Sequence, residues 1–309
     1  MAEKEGLFEI EKWVSERQLP KGKRRKKDYR DRKTEQYVFD IPTLETLYKF
    51  SKKGILKALG GPVSQGKESV IFHAVGGEGE ELAIKLYKIH TAHFNAMLDY
   101  IIGDPRFEEI KKDRRSVISV WARKEFKNLK RASDAGVRVP KPIACDKNVL
   151  IMEFIGKEGI PAPRMRDIPV DILKADCELE ELFIRILSAI KTLYEKGRMV
   201  HADLSEFNIL MKGYVEREFE MWGSAPSRAL PVPPQAPEGL SRKPRRGLAA
   251  NTGAGIEIEP VIIDMGQSLL VNHPHADEFL LRDVRNIIIF FNKLGLTHSE
   301  DEIMRMVKS

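Results

Sequence analysis

His201, Asp203 and Asn208 stand close together in the stretch HADLSEFNIL, directly after a long apolar-striped segment. An Asp in such a turn can orient an attacking hydroxyl or water and accept its proton, and an Asn five residues on can offer its amide oxygen to a metal ion. Asp264 in VIIDMG leaves an apolar run just before a Gly, where a carboxylate can hold Mg2+ bridging phosphates. Lys85 lies in LAIKLYK among Ala, Ile, Leu and Tyr, and a half-buried ammonium there needs a charge partner, for which Glu125 in WARKEF is the candidate. In SQGKES, Gly66 lets backbone N–H groups approach phosphate oxygens, while Ser64, Lys67 and Ser69 add donors. Each feature alone also describes an ordinary turn, cap or strand end. Their order, from loop to Lys, Glu, apolar strand, HxDxxxxN and strand-end Asp, is that of a phosphoryl-transfer site.

The hydropathy pattern supplies the elements that must position these residues. Residues 69–75 and 82–87 are β-rich runs joined by GGEGE, which predicts a hairpin with Lys85 on its second strand. Residues 114–135 place Val117, Trp121, Leu129 and Ala132 near helical spacing with Gly136 as cap, so Glu125 rides on a helix. The apolar run 148–155 reads as a buried strand. Residues 178–196 form the clearest helix, and HADLSEFNIL follows its closing Gly197 at once. Residues 256–264 resume as strand and deliver Asp264, and 276–294 form the last major helix. Residues 35–57 predict one or two short helices, and Gly60-Gly61-Pro62 breaks the chain after them. Residues 91–113 carry no clear pattern. A strand-rich first half and a helix-rich second half give an α+β architecture of two lobes, joined near residues 153–156.

Composition bounds the alternatives. The chain has 309 residues, 42% hydrophobic and 32% charged, enough for a sizeable core. No apolar run approaches the roughly 20 residues that span a bilayer, and the polar start is unlike a signal peptide. The two cysteines, Cys145 and Cys177, have no CxxC spacing and read as buried small residues of a reducing cytosol, so a cytoplasmic location without membrane association is expected. The net charge of +6 is local: residues 21–34 hold nine Lys/Arg and two Asp, +7, which leaves −1 for the remainder. Such an arm is either a solvated tail or a nucleic-acid contact that displaces counterions from phosphates. The stretch 214–255 is rich in Pro, Ala, Gly and Arg and reads as a loosely packed insertion.

SQGKES, AIKLYK, WARKEF, MEFIG, HADLSEFNIL and IIDMGQS together resemble the RIO kinases, an atypical protein-kinase family. KTEQYVFDIPTLETLYKFSKKG and HPHADEFLLRDVRNIIIFF resemble the type 1 subfamily, and the short chain is similar to archaeal members. The resemblance covers roughly residues 33–309 apart from the insertion. It implies a two-lobed protein-kinase-like fold with a β-rich N-lobe at 61–155 and a mostly helical C-lobe at 156–309. A helical extension at 35–60 and the basic arm at 1–34 precede them. It implies Asp203 as catalytic base, Lys85 paired with Glu125 on ATP phosphates, and Asn208 and Asp264 as metal ligands. Backbone groups of Glu153 and Ile155 would meet adenine, and Ser64, Lys67 and Ser69 the phosphates. The cofactors implied are ATP and Mg2+, with Mn2+ as a substitute.

Two departures qualify the implied activity. Ala202 stands where ordinary kinases carry the Arg of HRD, and no APE follows DMG, as in other RIO kinases. Peptide phosphorylation is thereby placed in doubt, leaving ATP hydrolysis or autophosphorylation. The insertion separates the catalytic loop from the metal Asp, at a loop-closure cost of only about 1–2 kcal/mol if its ends are adjacent. The role implied is in small ribosomal subunit maturation, with residues 21–33 contacting precursor RNA and the protein substrate unspecified. The competing readings are a small-molecule phosphotransferase of the aminoglycoside or choline type and a non-catalytic RNA-binding factor switched by ATP.

Overall fold

The computed structural model describes residues 39–91, 94–102, 104–107, 113–216 and 257–308. The basic arm at 21–33 and nearly all of the expected insertion at 214–255 lie outside them. Helix α1 (Ile41–Lys52) starts where Asp40 accepts the Thr43 N–H at 3.0 Å, with a Pro in its first turn. Five antiparallel strands follow: β1 (Leu56–Gln65), β2 (Ser69–Gly76), β3 (Glu81–Tyr87), β4 (Pro142–Asp146) and β5 (Val149–Glu153), in the spatial order β1-β2-β3-β5-β4. Helix α2 (Phe94–Ile101) and the long α3 (Arg114–Asp134) lie between β3 and β4.

Two sequence expectations change here. The helical stretch of 35–57 ends at Lys52, and residues 56–65 form a strand that runs through Gly60-Gly61-Pro62. That strand is a sheet edge with register shifts at Leu59/Pro62 and Pro62/Ser64, where a residue without an N–H is tolerated. β4, with Pro142 at its start, is the other edge and was not anticipated.

The sheet is covered on both faces, which sets the direction of Lys85. Leu47 and Phe50 of α1 pack with Val70, Phe72, Ile84, Leu86, Val149 and Ile151. The alternate residues Ala83 and Tyr87 join Val117, Trp121 and the rest of the main core on the other side. Successive side chains of a strand point to opposite faces, so Lys85 shares the α3 face with Ala83 and Tyr87.

After a small hairpin, β6 (Gly156–Lys157) with β7 (Ile160–Pro161), the second lobe is mostly helical. It contains α4 (Val170–Asp176), α5 (Leu179–Glu195), α6 (Ala276–Lys293) and α7 (Glu300–Lys308). The predicted stripe of α5 is inward: Leu182, Phe183, Ile186, Leu187, Ile190 and Leu193 are all buried. Ile303 and Val307 seat α7 in the same core as α5 and α6. Four short strands frame the site, β8 (Met199–Val200), β9 (Ile209–Lys212), β10 (Glu259–Ile262) and β11 (Leu269–Leu270). Pairing of Lys212 with Glu259 brings the borders of the insertion side by side, the condition for a small closure cost. Cys145 and Cys177 form no disulfide and are half-buried, less enclosed than expected. No helix among the described residues is long and apolar enough to cross a membrane.

Candidate active site

Two loops face each other because short ladders hold their ends. β8 pairs with β11 and β9 with β10, so residues 201–208 run beside residues 263–268. The Ile263 N–H donates to Asn208 O at 2.9 Å. His201 Nε2–H donates to the Ile263 carbonyl at 3.0 Å, while its Nδ1 lies 3.3 Å from the Asp203 N–H. Burial lowers the His201 pKa, which favours the neutral ring between the two loops. Ala202 and Asp264 both have left-handed backbones, φ 67° and 65°. Non-Gly residues held there cost on the order of 1 kcal/mol, and such positions cluster at functional sites.

Helix α6 holds residues 202–204 from below. Asp283 accepts the Ala202 N–H at 2.8 Å and the Leu204 N–H at 2.7 Å. Arg282 donates to the Ala202 carbonyl, and Asn286 Nδ2 to the Leu204 carbonyl at 3.0 Å. Burial pushes the Asp283 carboxyl up to about 7, against the pull of its two N–H donors. The segment 202–204 is therefore fixed by a helix, with Ala202 and not an Arg preceding Asp203 in the chain.

Asp203 and Asn208 meet as their spacing predicts. Asn208 Nδ2 donates to the Asp203 carbonyl at 2.8 Å and lies 3.4 Å from its Oδ2, where Gln267 Nε2 also approaches at 3.4 Å. With Nδ2 engaged, the amide oxygen of Asn208 is left for another partner. Burial, then the Asp264 charge, raise the Asp203 pKa.

Across the cleft, Lys85 Nζ donates to both Glu125 oxygens at 2.8 Å and to Asp264 Oδ1 at 2.9 Å. Glu125 is 1% exposed and also accepts the Tyr87 hydroxyl, whereas the Asp264 side chain is 53% exposed along the cleft. Burial disfavours the Lys85 ammonium, but Asp264 and Glu125 outweigh it and hold its pKa above the ordinary value. Burial raises Glu125 in spite of Lys85, while the Lys85 charge lowers Asp264.

The predicted phosphate loop is a tight hairpin turn. Gln65 pairs with Val70, and the Gly66 N–H is engaged by the Ser69 carbonyl at 2.9 Å. Gly66 is not in the left-handed region, and a Cβ there would lie 3.6 Å from the Ser69 carbonyl. The Gly66 N–H itself is thus taken up by the turn. Ser64 and Lys67 are exposed around the turn and Ser69 is buried at the start of β2. Glu68 at the tip is a group that sequence reasoning missed. Burial, then the Asp264 charge, raise it to about 7, with Lys85, Glu125 and Asp203 also felt, so it faces the same cleft.

At the lobe junction, Arg138 forks onto Glu153 at 2.6 and 2.8 Å and reaches Glu259 at 3.1 Å. The Glu153 N–H donates to Lys141 and the Ile155 carbonyl accepts from Ala162. Among the described residues the Ile155 N–H has no backbone acceptor, which leaves it for a ligand edge. Ile155 packs with Ala162, Val261 and Leu210 in a small apolar cluster apart from the main core.

The chemistry of the donors fits a hard divalent cation. Glu68, Glu125, Asp203 and Asp264 outnumber Lys85, and Asn208 adds a neutral oxygen. No group of three or more His, Cys, Asp or Glu among the described residues makes a closed metal cage. An open pair such as Asn208 and Asp264 is what Mg2+ takes when phosphates and water complete its shell. Behind this site lie residues that the sequence did not mark. Lys124 is fully buried, and burial pulls its ammonium down to about 7. Its donors go to the Gly266 and Ser268 carbonyls. Nothing in RKEFKN separates this Lys and Asn128 from solvent-facing helix residues; only packing does.

A β-rich lobe with a Lys–Glu pair, a helical lobe with Asp203, Asn208 and Asp264, and a cleft between them define a two-lobed, protein-kinase-like phosphotransferase. The RIO domain family matches residues 70–219 and 254–303, and the chain belongs to that family, as its motifs led one to expect, on the type 1 side. The unmatched residues 220–253 fall inside the insertion. A RIO-type serine/threonine-protein kinase Rio1 of Haloferax volcanii is 36% identical over 92% of this chain and 80% of its own. Its counterpart in Methanocaldococcus jannaschii is 35% identical over 93% and 84%. Human serine/threonine-protein kinase RIO1 is 33% identical over 86% of this chain but only 39% of its own length. Among solved structures, a Chaetomium thermophilum Rio2 kinase aligns with a TM-score of 0.54 at 20% identity, over 85% of this chain and 65% of that one, which speaks to the fold.

Proposed function

We propose that the protein is a Mg-ATP-dependent atypical serine/threonine kinase, with ATPase activity and autophosphorylation, acting in small ribosomal subunit maturation. The observation that carries the phosphotransfer reading is Lys85 bridging Glu125 and Asp264 across the cleft, with Asp203 and Asn208 on the adjoining loop. The names of the relatives favour a protein kinase over a small-molecule phosphotransferase. The solved Rio2 kinase was captured as an ADP/Mg2+-phosphoaspartate complex, which supports the same nucleotide and metal here and an acyl-phosphate branch.

In this reading the Ile155 N–H and the hinge backbone at Glu153 meet the adenine edge. Lys85, held charged, leans from Glu125 toward the phosphates, with Ser64, Lys67 and Ser69 along the turn. Asn208 and Asp264 hold Mg2+, or Mn2+ in its place, and the ion neutralises phosphate charge when bound. Asp203 accepts the proton of the attacking hydroxyl or water, and its raised pKa gives that transfer more driving force than an ordinary Asp would. The Asp283 and Arg282 clamps hold residues 202–204 still during that step. The basic arm at 21–33 supplies charge for a ribosomal RNA partner.

The test incubates purified protein with labelled ATP and magnesium, with and without small-subunit particles. Free phosphate, phosphoserine or phosphothreonine, and acid-labile acyl phosphate are followed separately. Turnover stimulated by the particles is expected. Faster phosphorylation of an amino-sugar or choline than of any protein or water would overturn the reading.

A further inference from the structure

One face of α3 grips the cleft twice. Trp121, Lys124, Glu125 and Asn128 follow at i, i+3, i+4 and i+7, a single helical stripe. Glu125 points forward to Lys85. Lys124 and Asn128 point to the turn that follows Asp264: Lys124 Nζ donates to the Gly266 carbonyl at 2.8 Å and the Ser268 carbonyl at 2.6 Å. Asn128 Nδ2 donates to Met265 O at 2.8 Å and Ser268 O at 3.2 Å. The turn lies flush on the helix, since a Cβ on Gly266 would come within 3.1 Å of the Trp121 ring.

These contacts close a ring. It runs from Glu125 to Lys85, from Lys85 to Asp264, through residues 265–268, and back to Lys124 on the same helix. Asp264 is thus held from the front by an ion pair and from behind by donors to the next carbonyls, although its own side chain is open to the cleft. A buried lysine usually seeks a carboxylate. Here its hydrogen bonds are given to two backbone carbonyls, and Asn128, also fully buried, adds two more to the same turn.

We propose that Lys124 and Asn128 are positioning residues for Asp264, locking the 265–268 turn to the helix that carries Glu125 so that the metal carboxylate and the Lys85 anchor move as one unit. The proposal rests on the reading of Asp264 as a metal ligand. It makes any shift of α3 a simultaneous change in metal affinity and in phosphate anchoring, without a separate switch.

The test measures ADP affinity by calorimetry with and without MgCl2 on the full chain, alongside kcat and KM for ATP. Lys124→Met keeps length and removes the ammonium, and Asn128→Leu removes the second clamp. Each is expected to leave metal-free ADP affinity within about twofold, to raise the Mg2+ half-saturation at least about fivefold and to lower kcat more than it changes KM. Ile186→Ala, a core change on α5 and not on α3, lowers the melting temperature and leaves the Mg2+ dependence as in wild type. If Lys124→Met does not fold, Asn128→Leu alone decides. Wild-type Mg2+ half-saturation in whichever clamp variants fold overturns the proposal. Asp264→Asn separates the two levels: if it too keeps full Mg2+ dependence, the ligand assignment itself fails. If it abolishes that dependence while the clamp variants keep it, only the positioning role fails.

Discussion

Replacing Glu125 by Gln asks what the buried ion pair is for. Glu125 is 1% exposed and takes both Lys85 hydrogen bonds and the Tyr87 hydroxyl. Removing one partner of a buried pair typically costs about 3–5 kcal/mol, because the other charge is stranded. Lys85 keeps Asp264 at 2.9 Å and Gln keeps one acceptor, so the low end, about 3 kcal/mol, applies. At roughly 2–4 °C per kcal/mol for a chain of this size, the melting temperature falls by about 6–12 °C. Lys85 then keeps Asp264 as its one charged partner, and ATP KM rises. The triple change Lys85→Met, Tyr87→Phe, Glu125→Leu removes the three polar groups together. Apolar replacement of a whole buried network is often neutral or stabilising, so at least half of the lost melting temperature returns, while the loss of Lys85 abolishes ATP turnover. Differential scanning fluorimetry and a coupled ATPase assay read both effects. A triple variant less stable than Glu125→Gln would refute the claim that this pair serves the nucleotide and not the fold.

Asp283 gives a pH signature. Its carboxyl is held at about 7 in the fold against an ordinary 3.8, so the native state binds an extra proton between those values. Its contribution to stability is full below about 3.8 and is lost as pH rises through about 7. Urea unfolding from pH 4 to 8 should show a component that falls with pH in wild type and is missing in Asp283→Asn; equal slopes contradict the assignment. Arg282→Ala frees the Ala202 carbonyl and is expected to lower kcat with little change in nucleotide affinity, measured by steady-state kinetics and ADP titration. Neutralising the five basic residues at 23–27 should weaken RNA binding and flatten its salt dependence with ATPase activity intact, as read by a salt titration with ribosomal RNA.

What was legible in the sequence follows from what each residue depends on. The stripe of α5 and the run at 148–155 are local patterns, and the structure has them. Lys85 could be placed because strand periodicity fixes its face and an apolar setting requires a partner. The two edge strands were not legible. Gly60-Gly61-Pro62 and Pro142 look like breakers in isolation, and only an edge position with bulges makes them strand residues. Lys124, Asn128, Arg282 and Asp283 were missed for a related reason. A charged or amide residue on a helix is expected to face water, and its burial against a backbone turn exists only once the lobes are assembled. Glu68 stood inside a motif already noted, yet its raised pKa comes from burial and from three carboxylates distant in sequence.

The most direct measurement compares wild type with Asp203→Asn and Asp264→Asn in single-turnover reactions with labelled ATP, with nucleotide binding measured on the same preparations. The account predicts that Asp203→Asn binds Mg-ATP almost as wild type but transfers its phosphoryl group at least about a hundredfold more slowly. Asp264→Asn should lose the Mg2+-dependent part of binding as well. Transfer at the wild-type rate in Asp203→Asn would contradict the assignment of this cleft as the site of phosphoryl transfer.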